Sequence, residues 1–260
     1  MPWAVVEASS FQLETTELPA DAFAAAAILN LQADHLDRHG SLAAYHALKR
    51  KLLDFARVKI APGDAALAAV PRALFAGSHF DNPVLADNAR CAVALLRAAG
   101  LADDAIAAAF ARFEPLPHRF QTVHEADGVA WVDDSKATSL AALAAGVEMA
   151  AARFGADKGR LIAGGLPKGD DPNSVISCLP NRVEKVYLIG RCAETFRDAW
   201  KEVVSCEVCG TMENAVRAGK RDAVAGECVL LSPGAASFDQ FESYGARGEW
   251  FAALAKEKEG

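Results

Sequence analysis

The feature that most constrains the fold is a change of pattern at residues 114–117, Glu-Pro-Leu-Pro. Before this segment, apolar residues recur at helical spacing, whereas after it short apolar runs alternate with helical stretches. Each proline lacks an amide donor and disfavours helix at the preceding residue, so a helix cannot run through the segment. We therefore predict two domains, residues 1–115 and residues 116–260.

The second region has the pattern of an α/β fold. Residues 121–132 predict a β-hairpin that turns at Asp127-Gly128. Further strands are predicted at residues 161–163, 186–189 and 229–231, and helices at residues 193–204, 212–218 and 247–256. Alternation of this kind is typical of a mostly parallel sheet covered by helices on both faces, and such sheets bind ligands beyond the carboxyl ends of their strands.

The first region has the pattern of a mainly helical segment. Helices are predicted at residues 42–56 with Ser41 as N-cap, at residues 83–99 with Asn82 as N-cap, and at residues 103–112. Residues 4–6, Ala-Val-Val, form an apolar run that we expect to be a strand. Because an apolar strand normally begins inside a domain, we expect the chain to start part-way through a fold.

Composition narrows the class of function. The chain has 27 Lys plus Arg against 34 Asp plus Glu, a net charge of −7 and a sequence pI near 5.4, which argue against a nucleic-acid partner. The longest apolar stretch, residues 22–29, is too short to cross a bilayer, so we expect no membrane insertion. With no signal-peptide pattern at its start, we expect a cytoplasmic protein that acts on small molecules.

Two segments of the second region carry groups that could bind an anion. Residues 133–138, Asp-Asp-Ser-Lys-Ala-Thr, follow a predicted strand and are expected to open a helix, whose N-terminus attracts phosphate or carboxylate. An ordinary helix cap with a solvated lysine is the alternative interpretation. Arg119 follows the proline-rich segment and could either clamp a phosphate or form a surface ion pair.

The first region holds candidate metal ligands. Glu7 follows the predicted opening strand, and His35 lies between Asp34 and Asp37. A carboxylate and an imidazole could bind magnesium or orient a ligand. Lys49 lies fourteen residues after His35 within a predicted helix, where a lysine is by default exposed to solvent.

Seven segments, taken in order, resemble the Mur ligase family, and most of all its D-glutamate-adding members. They are residues 9–16 (SSFQLETT), 28–30 (ILN), 34–38 (DHLDR), 116–120 (LPHRF), 134–138 (DSKAT), Gly164-Gly165 with Lys168, and 231–241 (LSPGAASFDQF). The resemblance covers nearly the whole chain. It implies an α/β fold class in which a partial central, ATP-binding domain precedes a Rossmann-like C-terminal domain with a mostly parallel sheet, the domain that binds the amino acid.

The resemblance also implies an activity. Such enzymes are ATP-dependent amide ligases of peptidoglycan synthesis, with ATP and Mg²⁺ as cofactors and UDP-N-acetylmuramoyl-L-alanine and D-glutamate as substrates. The γ-phosphoryl group passes to the substrate carboxylate, and the amine of D-glutamate then displaces phosphate from the acyl phosphate.

Site residues follow from the resemblance position by position. Glu7, His35 and a carbamylated Lys49 are implied as the magnesium site, with His35 and Lys49 as catalytic residues. Ser9 and Gln12 are implied to face the muramoyl substrate, Asn88 to contact adenine, and Arg119 and Asp134 to bind the ATP phosphates and ribose. The implied D-glutamate site consists of Lys136, Thr138, Lys168, Ser237, Phe238 and Tyr244.

The sequence departs from the family pattern in ways that affect activity. No G-x-x-x-x-G-K-S/T occurs, and the part of the family pattern that binds the uridine nucleotide has no counterpart. The stretch between Lys49 and Asn88 is shorter than in the family, with Leu85 in place of a first adenine-binding asparagine. We therefore expect a partial ligase that is inactive alone and needs the missing N-terminal part as its partner. The alternatives are another Mur ligase, a folylpolyglutamate synthase-like ligase, and a non-catalytic module that binds nucleotide and amino acid.

Overall fold

The structure, a computed structural model, describes residues 3–31, 36–82, 84–155 and 159–257. Its chain divides into two compact units, Met1–Glu114 and Pro115–Gly260. The division falls within the Glu-Pro-Leu-Pro segment, and each unit has its own buried apolar clusters.

The first unit is mainly helical with a two-stranded parallel sheet. Its elements are α1 (Ser10–Thr15), β1 (Phe23–Ala27), α2 (Leu36–His39), α3 (Leu42–Asp54), β2 (Ala56–Ile60), α4 (Ala65–Ala68), a 3₁₀ turn (Arg72–Leu74), α5 (Ala86–Ala98) and α6 (Asp103–Ala111). Strands β1 and β2 pair with Phe23 opposite Ala56 and Ala27 opposite Ile60. The main apolar cluster lies between α5, α6 and the 3₁₀ turn, and includes Phe75, Val93 and Ile106.

Two of the three helices predicted in this unit are confirmed nearly to the residue. Ser41 caps α3, since its hydroxyl accepts a 3.2 Å hydrogen bond from the amide of Ala44. The predicted helix at residues 83–99 begins later, at Ala86, and Asn82 is not its N-cap. The Asn82 side chain instead accepts hydrogen bonds from the amides of Val84 and Leu85, which form the turn that precedes the helix.

The prediction of a strand at residues 4–6 is wrong. Residues 3–9 have no regular secondary structure, and Val5 and Val6 are 97% and 67% exposed. A strand needs a neighbour to pair its backbone groups, and in the described part of this unit β1 and β2 pair only with each other. An apolar run without such a neighbour does not form a strand.

The second unit is a six-stranded sheet between two layers of helices. Its elements are β3 (Gln121–Ala126), β4 (Val129–Asp133), α7 (Leu140–Phe154), β5 (Gly159–Gly164), a 3₁₀ segment (Pro172–Cys178), β6 (Val183–Ile189), α8 (Ala193–Trp200), β7 (Ser205–Gly210), α9 (Met212–Asp222), β8 (Cys228–Leu231) and α10 (Tyr244–Lys256). The strand order is β3-β4-β8-β5-β6-β7. Among the described strands, β3 alone is antiparallel to its neighbour, so the predicted mostly parallel sheet is confirmed.

The central strands of this sheet are apolar on both faces because helices cover both. On one face Val132, Leu161 and Leu230 pack with α7 and α8. On the other face Ile162 and Val229 pack with α9 and α10. Continuous burial of this kind explains why these strands appear in the sequence as unbroken apolar runs.

The hairpin predicted at residues 121–132 is confirmed. Asp127 and Gly128, the two residues between β3 and β4, have φ of +52° and +77°. Two consecutive positive φ values define a turn whose twist matches the paired strands.

The helix predicted at residues 193–204 ends at Trp200, and an unpredicted strand, β7, follows it. Strand β7 lies at the edge of the sheet, so its residues are only half-buried and its sequence, Ser-Cys-Glu-Val-Cys-Gly, lacks an apolar run. Cys206 packs against one core and Cys209 against the other, so the two thiols lie on opposite faces of the sheet. Within the described ranges, no helix is long and apolar enough to span a membrane.

Candidate functional site

Two adjacent carboxylates at the end of β4 begin the candidate site of the second unit. Asp133 is 1% exposed, and its two oxygens lie 2.7 Å from Nδ1 of His118 and 2.9 Å from the amide of Ser135. The side chain of Asp133 lies beside α10, where a Cβ at Gly248 would come within 2.6 Å of its Oδ2. The absence of a side chain at Gly248 therefore leaves the space that the His118–Asp133 pair occupies.

Asp134 lies on the other side of the sheet, beside α7. Its Oδ1 accepts a 3.2 Å hydrogen bond from the amide of Phe120, and its Oδ2 accepts a 2.9 Å bond from the hydroxyl of Ser232. A Cβ at Gly146 of α7 would lie 2.7 Å from both Asp134 Oδ2 and Ser232 Oγ. Burial raises the pKa of the Asp134 carboxyl to about 7, although the hydrogen bond from Ser232 acts in the opposite direction.

The segment Leu-Pro-His-Arg-Phe is held in an unusual backbone conformation by these carboxylates. His118 and Phe120 have φ of +63° and +50°, a region that bulky residues rarely adopt. Asp133 binds the side chain of the first and Asp134 the backbone of the second. Arg119, between them, is exposed to solvent, and the charge of its guanidinium acts to lower the pKa of the Asp134 carboxyl.

The predicted helix start at residues 133–138 is wrong, because α7 begins at Leu140 with Ser139 as its N-cap. The amide of Lys136 donates to the carbonyl of His118 and the amide of Asp134 to the carbonyl of Leu231, so this segment is a loop tied to the neighbouring turn and to β8. The ammonium of Lys136 lies 4.1 Å from the ring centroid of Tyr244. Such a distance fits a cation–π contact that holds the lysine at the sheet edge.

Lys168, which follows β5, contacts the loop of residues 134–138. Nζ of Lys168 lies 3.3 Å from Oγ1 of Thr138, and both residues are half-buried. Two lysines and a threonine hydroxyl thus lie along one edge of the sheet, where the strands β4 and β5 end. The remaining two predicted residues follow β8: Ser237 is buried, whereas Phe238 is 70% exposed.

Sequence reasoning missed Arg247, the most deeply buried arginine of this site. It is 1% exposed and lies in the first turn of α10. Burial lowers the pKa of its guanidinium to about 10, so it is still cationic at neutral pH. No sequence signal identifies it, because an arginine early in a predicted helix looks like any surface arginine.

In the first unit, the structure gives Ser9 and Gln12 a local role. Ser9 is the N-cap of α1, its hydroxyl accepts from the amide of Gln12, and Oε1 of Gln12 accepts from the amide of Ser9. This reciprocal pair is a capping box. His39, which sequence reasoning also missed, anchors the same helix: its ring nitrogens lie 3.0 Å from Ser10 Oγ and 3.2 Å from Glu14 Oε1.

The predicted metal ligands are described only in part. Lys49 on α3 donates a 2.6 Å hydrogen bond to the carbonyl of Asn30, Glu7 is exposed, and His35 lies outside the described residues. Among the described residues, no group of three or more His, Cys, Asp or Glu side chains could hold a metal ion. Asn88, the predicted adenine contact, is half-buried in the first turns of α5.

Comparison with known proteins identifies the relatives of both units. Residues 2–78 match the Mur ligase middle domain, and residues 118–234 match the glutamate ligase domain of Mur ligases. The chain belongs to the Mur ligase family. UDP-N-acetylmuramoylalanine–D-glutamate ligases of Jannaschia sp. (strain CCS1) and Frankia casuarinae are 36% and 37% identical over 96% and 98% of the chain.

The fold agrees with the family assignment, but the chain is shorter than its relatives. The chain resembles the solved UDP-N-acetylmuramate–alanine ligase MurC of Thermotoga maritima with a TM-score of 0.63 and 12% identity, over 94% of this chain and 61% of that one. It spans 62% of the length of each of the two curated relatives. The Mur ligase resemblance read from the seven sequence segments, and the α/β fold expected from it, are confirmed.

Replacement of Gly146 tests the packing around Asp134. We expect Gly146→Ala to push Asp134 and Ser232 apart and to lower the free energy of unfolding by about 1–3 kcal/mol, the cost of disturbing a buried polar pair. Gly219→Ala is the matched control, because its Cβ would meet Val229 and Trp131 at ordinary distances of 3.4–3.5 Å. Urea unfolding should show the control unchanged or more stable by up to about 1 kcal/mol. Equal stability of both variants would contradict the packing described.

The pKa of Asp134 predicts a pH dependence of stability. Because burial raises the pKa to about 7 from an ordinary 3.8, the folded protein keeps a proton that the unfolded chain releases at lower pH. The contribution of Asp134 to the free energy of unfolding is therefore fully present below about pH 4 and is lost as the pH rises through about 7. Relative to Asp134→Asn, the wild type should lose stability between about pH 4 and 7 in urea titrations. A carboxyl ¹³C resonance of Asp134 that titrates below about pH 5 would refute this.

Proposed function

We propose that the chain is the central and C-terminal part of an ATP-dependent ligase that joins D-glutamate to UDP-N-acetylmuramoyl-L-alanine. The second unit would bind the amino acid, and Arg119 and Asp134 would bind the nucleotide. The observation that carries the proposal is the meeting of Lys136, Thr138 and Lys168 at the carboxyl end of the parallel sheet. The reaction would take place in the cytoplasm as a step of peptidoglycan synthesis.

The chemistry of the sheet edge supports a dicarboxylate ligand. Two ammonium groups complement two carboxylates, and the hydroxyls of Thr138 and Ser237 add hydrogen-bond donors at the same edge. Lys136 is held against the Tyr244 ring and Lys168 against Thr138, so neither cation has to be ordered entirely by the ligand. The exposed ring of Phe238 adds an apolar surface beside these groups.

The acceptor oxygens of Asp134 and the nearby cation Arg119 suit a nucleotide ligand. Each Asp134 oxygen accepts one hydrogen bond from the protein, which leaves lone pairs for ribose hydroxyls. Arg119 is exposed in the turn that Asp134 binds and offers a planar cation suited to phosphate oxygens. A bound nucleotide would supply the phosphoryl group that turns a carboxylate into an acyl phosphate, from which an amine can displace phosphate.

The described residues do not provide a fitted magnesium site. Glu7, His35 and a carbamylated Lys49 are proposed as ligands on the family resemblance alone, since no convergent set of carboxylates or imidazoles occurs among the described residues. Ser9 and Gln12 are proposed to face the muramoyl substrate, and Asn88 the adenine.

The amino-acid site can be tested by NMR titration of residues 1–260. We expect D-glutamate to shift the amide resonances of Lys136, Thr138 and Ser237, and we expect Lys136→Ala and Lys168→Ala each to weaken binding by about tenfold, since each removes one charge-assisted contact. Lys201→Ala, at the exposed end of α8, is the control and should bind as the wild type does. Tighter binding of L-glutamate would favour a folylpolyglutamate synthase-like reaction, and binding unchanged in all three variants would disprove the site.

Catalysis by these 260 residues alone is tested by phosphate release. We expect no phosphate release above background from ATP, UDP-N-acetylmuramoyl-L-alanine and D-glutamate, because the residues contain no G-x-x-x-x-G-K-S/T loop to cradle the phosphates. A longer polypeptide that supplies such a loop should release phosphate only when both substrates are present. Turnover by residues 1–260 alone would contradict the proposal.

A further inference from the structure

A buried arginine joins the two loops that carry most of the proposed amino-acid site, in addition to the direct bonds from Ser232 to Asp134 and from the amide of Gly234 to the carbonyl of Ala137. The first loop, residues 134–138, follows β4 and contains Lys136 and Thr138. The second loop, residues 232–238, follows β8 and contains Ser237 and Phe238. Arg247, in α10, lies behind both loops.

The guanidinium uses all three of its nitrogens on these loops. Nε lies 3.0 Å from the hydroxyl of Ser135, and one terminal nitrogen donates to the Ser135 carbonyl at 2.9 Å. The other terminal nitrogen donates to the carbonyl of Ala235 at 3.1 Å. The hydroxyl of Ser135 in turn donates to the carbonyl of Tyr244 at 2.8 Å, so the first loop is also tied to the start of α10.

The two residues that accept these bonds, Ser135 and Ala235, are close in sequence to residues of the proposed amino-acid site. Ser135 immediately precedes Lys136, and Ala235 lies two residues before Ser237. A planar, rigid fork that binds Ser135 and Ala235 at once holds the two backbones at one separation. An ammonium at the same place would be a point charge without that fixed geometry.

Burial of the Arg247 guanidinium is costly because its hydrogen-bond partners are a hydroxyl and two neutral carbonyls, although the charges of Asp239 and Asp133 offset part of that cost. Arg247 is 1% exposed, and burial lowers the pKa of its guanidinium. A buried charge that does not serve stability efficiently points to a role in positioning.

We propose that Arg247 is a positioning residue that sets the distance between the loop carrying Lys136 and Thr138 and the loop carrying Ser237 and Phe238. This inference rests on the proposed function, because it assigns the two loops to one amino-acid ligand. Arg247 acts through Ser135 and Ala235 and does not itself touch the ligand.

The chain provides a matched control at the opposite end of the same sheet. Arg160, at the start of β5, is 8% exposed and forms a bidentate pair with Glu227, with donor–acceptor distances of 2.6 and 3.2 Å. It is a buried arginine that binds a carboxylate far from the carboxyl ends of the strands. Arg160→Lys therefore reports what loss of a buried guanidinium fork does to stability alone.

The experiment compares Arg247→Lys with Arg160→Lys in residues 1–260 by three readouts. Hydrogen–deuterium exchange reports the order of residues 134–138 and 232–238 without any ligand. Titration with D-glutamate reports binding, and urea unfolding reports the stability of each variant.

We expect exchange in both loops to be about tenfold faster in Arg247→Lys and unchanged in Arg160→Lys. We expect Arg247→Lys to weaken D-glutamate binding by about tenfold or more, whereas Arg160→Lys binds normally even when it is equally destabilised. The amides of Lys136 and Gly234, which bond to His118 and Ala137, are the specific probes.

The outcomes separate this inference from the proposed function. Unchanged exchange in the two loops of Arg247→Lys, or equal loss of binding in both variants, would overturn the positioning role. Faster exchange in both loops together with no D-glutamate binding by the wild type would support the link between the loops and refute the proposed amino-acid site.

Discussion

The two carboxylates at the end of β4 are the constraint on which the candidate site depends. They are adjacent in sequence but lie on opposite sides of the sheet, Asp133 beside α10 and Asp134 beside α7. Asp133 holds the ring of His118, and Asp134 holds the amide of Phe120. Because both ends of the turn are fixed, its two positive φ values are tolerated and Arg119 is presented to solvent.

Close packing of helices makes these contacts possible. Gly146 in α7 and Gly248 in α10 let the helix backbones approach the end of the sheet, and a methyl group at either position would meet a carboxylate oxygen. The cost of glycine within a helix is small beside that of an unpaired buried carboxylate. The site therefore depends both on the polar groups at the carboxyl edge of the sheet and on the two glycines that leave room for them in the covering helices. Its cations, Arg119, Lys136, Lys168 and Arg247, lie in a chain whose net charge is −7.

The parts of the fold that the sequence predicted well are those with a strong local pattern. The hairpin at Asp127-Gly128, the helix capped by Ser41 and the buried strands β5, β6 and β8 each follow from periodicity or turn chemistry. The errors occur where neighbours decide: residues 4–6 have no paired strand, and β7 is a half-buried edge strand without an apolar run. Residues 134–138 have a sequence that suits a helix start, but their hydrogen bonds go to His118, Ser232 and Arg247 instead.

The sequence by itself determined the α/β class of the second unit, because that class depends on local periodicity. It also determined the membership of the Mur ligase family and the choice of Lys136, Thr138 and Lys168 as candidate ligand groups, because these depend on short motifs. Only the tertiary structure decided which groups meet. Arg247 and Ser135 are separated by 112 residues and Asp134 and Ser232 by 98, and pairing at such separations depends on strand order. The roles of Arg247, Gly146 and Gly248 depend on contacts with residues that are distant in sequence. No local sequence pattern could therefore identify these three residues.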